Sequence, residues 1–250
     1  VATEVIGELH RLLALPGPDP PLTLDAALRP EGRSGPITRT LDAFAEYYRR
    51  WSLGWEAQAL LRAKPVAGDA ELAYRFCRLI DRVRYPVTLP AGFIAEVIRL
   101  RGRMERERVP RGVDRTLHVK FGPGGLTDVE WAVQVLQLAH AHQVPALRTT
   151  STREGLRAAV GAGLLAPSEA AALDGAWTLA ARIRNAIMLT SNRPGDVLPD
   201  RSPGLERVAR AIGYPSDRVD DLLTDYRNIA ARAKAVVEEL LERERTAEFG

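Results

Sequence analysis

Between Asp217 and Arg245 the positions Leu222, Leu223, Tyr226, Ile229, Ala233, Val236, Val237, Leu240 and Leu241 hold a three-four spacing, while Arg227, Arg232, Lys234 and Glu238 take the other faces. A run with that period can bury its apolar stripe only as a helix, and only against other helices or a sheet. The same spacing recurs over about 70–83, 91–108, 127–142, 152–162, 168–190 and 203–212. With so many amphipathic segments and short connections, a helical bundle is the packing solution they share. The first part of the chain reads differently. Val5, Ile6, Leu9, Leu12 and Leu13 predict a helix over 1–15, stopped by Pro16-Gly17-Pro18. Leu22 to Leu28 alternates, with Leu22, Leu24, Ala26 and Leu28 on one face and Thr23, Asp25, Ala27 and Arg29 on the other, which predicts a strand. A Gly/Pro-rich loop follows over 30–36, and then a helical stretch over 40–63, closed by Pro65 and the turn Gly68-Asp69. The expected fold is mainly α, with an α/β stretch over 1–68 and a helical domain over 69–250.

Composition narrows the function classes. At 250 residues, 46% hydrophobic and 27% charged, the chain has the make-up of a globule, and no apolar run approaches the roughly 20 residues of a membrane span. No membrane partner is expected. The sequence pI of 9.2 rests on a net charge of only +3, too small for whole-chain steering toward nucleic acid. Cys77 is the single cysteine and no signal peptide opens the chain, so a cytoplasmic setting is the default. Val1 stands where an initiator Met would, at the start of a helix already under way, so the chain reads as a piece of a longer polypeptide.

Among the candidate residues, Asp25 lies on the same strand face as Arg29, ahead of a Gly-rich loop, where a carboxylate can hold a divalent metal or act as a base. An ordinary exposed salt bridge to Arg29 is the plainer alternative. Phe44, Tyr47, Tyr48, Trp51 and Trp55 form an aromatic stripe, most simply core, and Glu56, Gln58 and Arg62 share that helix. Arg99 to Arg108 holds five Arg and two Glu, read as phosphate contacts or as a solvated face with pairs such as Arg101–Glu105. Lys120-Phe-Gly-Pro-Gly-Gly125 has the look of a phosphate cradle. No Gly-Lys-Ser/Thr follows, however, and Asp128 and Glu130 already place anions in the first helical turn, so it reads as a tight turn. His118, His140 and His142 lack metal-ligand spacing.

Taken in order, Leu24-Asp25-Ala-Ala-Leu-Arg-Pro-Glu-Gly-Arg-Ser-Gly-Pro36, Tyr47-Tyr48-Arg-Arg-Trp51, the stretch Trp55 to Asp69, Glu107-Arg-Val-Pro-Arg-Gly112 and Lys120 to Trp131 are similar to the bifunctional glutamine synthetase adenylyltransferase/adenylyl-removing enzymes. The resemblance runs to about Val237. Leu138-Ala-His-Ala-His142 and the helical end resemble the C-terminal, adenylylating half in its actinobacterial-like form. It implies the C-terminal remnant of a polymerase-β-like nucleotidyltransferase domain over 1–68, followed by a helical domain.

The resemblance implies transfer of AMP from ATP to a tyrosine of glutamine synthetase, and in the longer parent its removal by phosphorolysis. Magnesium is the implied metal, glutamine synthetase the partner, and a PII-type signal protein a further one. Asp25 matches the third metal-binding carboxylate of the family. Arg29, Arg33, Ser34, Glu56 and Lys120 are carried over as nucleotide-side residues. The Gly-Ser turn and Asp-x-Asp pair that supply the other carboxylates do not occur in this sequence, so the chain alone is expected to be inactive. The alternative reading is a non-catalytic helical module that binds protein or nucleic acid through the Arg99–Arg108 helix and the aromatic stripe.

Overall fold

The computed structural model describes residues 1–16, 22, 24–51, 54–201 and 203–248. Ten α-helices are found among them, and no sheet; the only β-type pairing is an isolated antiparallel bridge between His118 and Val197. By packing, the chain divides into two compact units, Val1–Arg84 and Tyr85–Gly250. The sequence put its division at Gly68, where the composition shifts from the expected α/β stretch to the helical one.

The first unit carries α1 (Ala2–Leu13), α2 (Leu41–Trp51), α3 (Gly54–Leu60) and α4 (Ala70–Arg84). Helix α1 buries no residue, and Val5, Leu9 and Leu12 are 61, 40 and 50% exposed. The rest of the unit packs α4 against α2 and α3. Phe44 of α2 meets Phe76 of α4 edge to face at 5.2 Å and stacks on Tyr48 at 6.2 Å, while Leu61 and Ile80 are fully buried. Of the aromatic stripe, Tyr48 is buried, Phe44, Tyr47 and Trp55 are half-buried, and Trp51 is 66% exposed. At the end of α4, Arg84 donates to the Leu60 and Ala63 carbonyls and pairs with Asp81, which closes the last turn of α3.

The strand expected over Leu22–Leu28 is not formed. Thr23 lies outside the described residues; Ala27 and Leu28 are in a turn, and Leu22 and Leu28 are each 68% exposed. Two physical reasons account for it. A strand needs a ladder partner, and none stands beside it among the described residues. The Asp25 carboxylate also accepts the Ala27 N–H at 2.9 Å, a local turn bond that competes with extended backbone.

The second unit holds α5 (Phe93–Arg108), α6 (Leu126–His140), α7 (Thr152–Gly161), α8 (Pro167–Ser191), α9 (Gly204–Ala211) and α10 (Asp221–Ala247). Its centre is formed by α6, α8 and α10. Helix α10 packs on α8, α6 and α5, and α8 also carries α7 and α9. Ten of the residues of α6 are buried, so this helix is apolar almost all round, as an interior helix must be. On α10 the expected stripe is the buried one: Leu222, Tyr226, Ala233, Val237, Leu240 and Leu241. Each fully buried Leu or Ile contributes about 1.5–3 kcal/mol. His140 Nε2 and Glu244 Oε2, 2.8 Å apart, join α6 to the far end of α10.

Candidate functional site

In the first unit the loop 25–36 gathers four of the residues singled out above. Asp25 is exposed and has no ion-pair partner among the described residues. Arg29 is spent on the loop itself: its guanidinium donates to the carbonyls of Gly35 (2.9 Å), Ala26 (2.6 Å) and Arg33 (3.2 Å). Three carbonyls on one guanidinium fix the loop's curvature and leave it little free donor capacity. The turn has strict sterics. Glu31 and Gly32 both have φ near +60° (62° and 57°), and a Cβ on Gly35 would lie 2.2 Å from the Pro30 carbonyl oxygen. Arg33 and Ser34 remain exposed on the outside.

A hydrogen-bonded relay ties this loop to the helices. Glu31 pairs with Arg39 at 2.5 Å, and Arg39 lies 5.6 Å over the Tyr47 ring. The Glu31 N–H donates to the Tyr47 hydroxyl, which donates in turn to Glu56 Oε1 at 2.8 Å. Burial first, and then the Glu56 carboxylate, push the Tyr47 pKa up. Glu56 is only 3% exposed, so it supports the loop from beneath rather than facing solvent. The neighbouring Tyr48 is pushed up to about 12, again by burial and then by Glu56. A pocket of about 340 Å³ opens beside Arg39, walled by Phe44, Phe76 and Ile80, with Lys64 and Asp69 as polar groups.

The sixth candidate, Lys120, belongs to the second unit, where its ammonium sits 4.9 Å over the Phe121 ring. The Gly-rich segment after it is a packing device. Gly124 has φ +69°, and a Cβ there would come 1.9 Å from the Ala230 carbonyl of α10; at Gly122 it would meet the Arg115 carbonyl at 2.2 Å. Inside the turn, Asp128 accepts the Gly124 N–H at 2.8 Å and a bidentate pair of bonds from Arg101 at 2.8 and 2.7 Å. An anion is thus already built into the place where a phosphate would sit. Arg101 was expected to pair with Glu105; it pairs with Asp128 instead, and Glu105 takes Arg115. Burial lowers the Arg101 pKa, but the Asp128 bonds and charge outweigh it and the net shift is upward. Sequence spacing hides both the Arg101–Asp128 and Tyr47–Glu56 pairs, since their partners meet only through tertiary packing.

Among the described residues no group of three or more His, Cys, Asp or Glu side chains is placed to hold a metal ion. One exposed carboxylate, Asp25, does not make a two-metal site, so the donor set of this chain by itself does not fit the magnesium pair that the resemblance implies. Nor is any helix among these residues long and apolar enough to cross a membrane.

Comparison with known proteins places these features. Residues 1–79 match the family model for glutamate-ammonia ligase adenylyltransferase, and residues 95–241, more than half of the chain, match the model for GlnD PII-uridylyltransferase. The chain is 55% identical over 240 residues to the bifunctional glutamine synthetase adenylyltransferase/adenylyl-removing enzyme of Streptomyces coelicolor, covering 96% of this chain and 24% of that protein. The proteins of that name from Streptomyces avermitilis and Mycobacterium avium are 56 and 48% identical over 95 and 94% of this chain, again with 24% of their own length covered. The chain, spanning about a quarter of the length of these relatives, belongs to the glutamine synthetase adenylyltransferase family.

Proposed function

We propose that this chain is the part of an adenylyltransferase that completes its nucleotidyltransferase domain and carries the helical domain behind it, in a protein that moves AMP from ATP to a tyrosine of glutamine synthetase. The observation that carries the reading is identity of 48–56% over nearly the whole chain to three proteins bearing that name. The loop geometry supports it. Arg29 and the Glu31–Arg39–Tyr47–Glu56 relay hold the 25–36 loop in one shape, as a segment bearing a reacting-site carboxylate requires.

In this reading Asp25 is one metal-side carboxylate, with the remaining ligands supplied from outside the segment. Arg33 and Ser34 approach the nucleotide from the exposed side of the loop, and Arg29 and Glu56 act by positioning the loop. Lys120 belongs to the second unit, which serves the partner side: contact with glutamine synthetase or with a PII-type regulator. Magnesium, ATP and a cytoplasmic setting belong to the proposal on the same footing.

The test is a chimera. Replacing the matching quarter of the Streptomyces coelicolor protein with this chain is expected to preserve transfer of label from α-labelled ATP to glutamine synthetase. A chimera that is folded, as judged by circular dichroism and gel filtration, but transfers no label refutes the proposal. For this chain alone, a magnesium-ATP titration is expected to show no specific micromolar binding; a single-site isotherm would contradict the division of ligands described above.

A further inference from the structure

The first unit carries a second feature, apart from the 25–36 loop. A groove of about 780 Å³ runs between α2 and α4. Its floor is apolar, made by half-buried Leu41, Leu79 and Val83 with Tyr48 behind them. Its charged lining is four arginines, Arg49, Arg75, Arg78 and Arg82, all exposed, and no acidic residue lines it. Arg49 is paired with Glu46 at 2.9 Å. Arg75, Arg78 and Arg82 have no ion-pair partner among the described residues, although ion pairs are common elsewhere on the surface of this chain.

The spacing of those three is i, i+3 and i+7 on one helix, a single stripe about 10 Å long at 1.5 Å per residue. Like charges at that spacing repel one another along the helix. Nothing in the groove relieves the repulsion. A single phosphate is best bound by guanidinium groups that converge on one point, whereas here they are strung along an axis beside an apolar trough. The complement of an axial row of cations flanking an apolar groove between two helices is a third helix, with leucine-like residues on one face and carboxylates repeating at the same three-four interval.

We propose that the α2–α4 groove is a docking site for an acidic amphipathic helix of a partner protein. Leu41, Leu79 and Val83 receive its apolar face and Arg75, Arg78 and Arg82 pair with its carboxylates. The proposal does not rest on the adenylyl-transfer reading.

The probe is a fluorescein-labelled helical peptide of about 18 residues, long enough to form a stable helix when bound. It carries Leu at three-four intervals, flanked by Glu. Its twin has every Glu replaced by Lys. Fluorescence anisotropy with the full 250-residue chain is expected to show saturable binding of the acidic peptide and none of the twin. Affinity should fall about tenfold or more in the R75E/R78E/R82E variant and only a few-fold in R75K/R78K/R82K, since lysine keeps the charge. These side chains are exposed, so circular dichroism and melting of the variants should match the parent.

Equal binding of the two peptides, or an affinity unchanged by the charge reversal, overturns the proposal. So does absence of binding by the acidic peptide. If inorganic pyrophosphate alone binds, and binds through these arginines, the groove is a small-anion site. If sedimentation shows a dimer abolished by the reversal, the occupant is a second copy. Either result replaces the acidic helix.

Discussion

Replacing Asp128 tests how the helical unit is held together. Asp128 is 4% exposed, and its carboxylate accepts three hydrogen bonds, two from Arg101 and one from the Gly124 N–H. The Arg101 side chain is itself only 12% exposed. Asp128→Asn keeps the shape but removes the charge and turns an amide donor toward a guanidinium that can only donate. Breaking a buried pair by removing one partner costs about 3–5 kcal/mol, because the remaining charge stays desolvated. For a chain of this size that lowers the melting temperature by on the order of 10 °C. The double variant Arg101→Met with Asp128→Leu removes both charges, and its remaining cost is the orphaned Gly124 N–H, about 1–3 kcal/mol. Urea denaturation followed by circular dichroism should therefore rank Asp128→Asn as the least stable and place the double variant between it and the parent. A loss below about 1 kcal/mol for Asp128→Asn, or a double variant as unstable as the sum of the singles, would refute the reasoning.

Three further predictions follow from the packing. Gly124→Ala should destabilise by about 3 kcal/mol or more, because its Cβ would lie 1.9 Å from a backbone oxygen; Gly163→Ala, with φ +71° and open space around it, should cost only about 1 kcal/mol, and thermal melts compare the two. His118 is 4% exposed, burial lowers its pKa from 6.5, and its Nδ1 accepts the Phe121 N–H, so the neutral ring is the folded form. Its contribution is complete above pH 6.5 and is lost as the pH falls through the lowered value, so the fall in stability measured below that pH should flatten in His118→Gln. Tyr47→Phe should cost about 1–3 kcal/mol by removing the hydroxyl between the Glu31 N–H and the buried Glu56, and hydrogen exchange should quicken at Glu31 and Gly32.

The helices were legible because a three-four period repeats enough times to leave no rival reading: α4 to α8 begin and end within two residues of where the pattern places them. Short signals fared worse. The alternation over Leu22–Leu28 contains two alanines and one turn-forming Asp, and a single hydrogen bond from Ala27 to Asp25 outweighs it where no neighbouring strand among the described residues supplies a ladder. Pairing rules within a helix misassigned Arg101, whose partner lies 27 positions away and becomes available only when α6 packs beside α5. The Gly-rich segment was read correctly as a turn, since Asp128 already announced an internal anion. Of the site, the likeness to a family picked out the segment Leu24–Pro36, while the residues themselves read as a strand to Leu28 and a loop only over 30–36. It did not show that Arg29 is bound up in that loop, or that Glu56 lies beneath it; both depend on where Tyr47 and Gly35 end up in space. The arginine stripe of α4 was not singled out in the sequence, because what marks it is an apolar floor that needs α2 alongside.

The central claim is that this chain is a segment of a glutamine synthetase adenylyltransferase to which it contributes Asp25. The direct measurement is the transfer of label from α-labelled ATP to glutamine synthetase by the chimera, with Asp25 and with Asp25→Asn. Because Asp25 is exposed and its carboxylate accepts only a loop N–H among the described residues, the variant should melt within about 1 kcal/mol of its parent. Its transfer rate should fall by about a hundredfold or more, as for loss of a group that stabilises charge at the reacting centre. Transfer within a few-fold of the parent would contradict the claim.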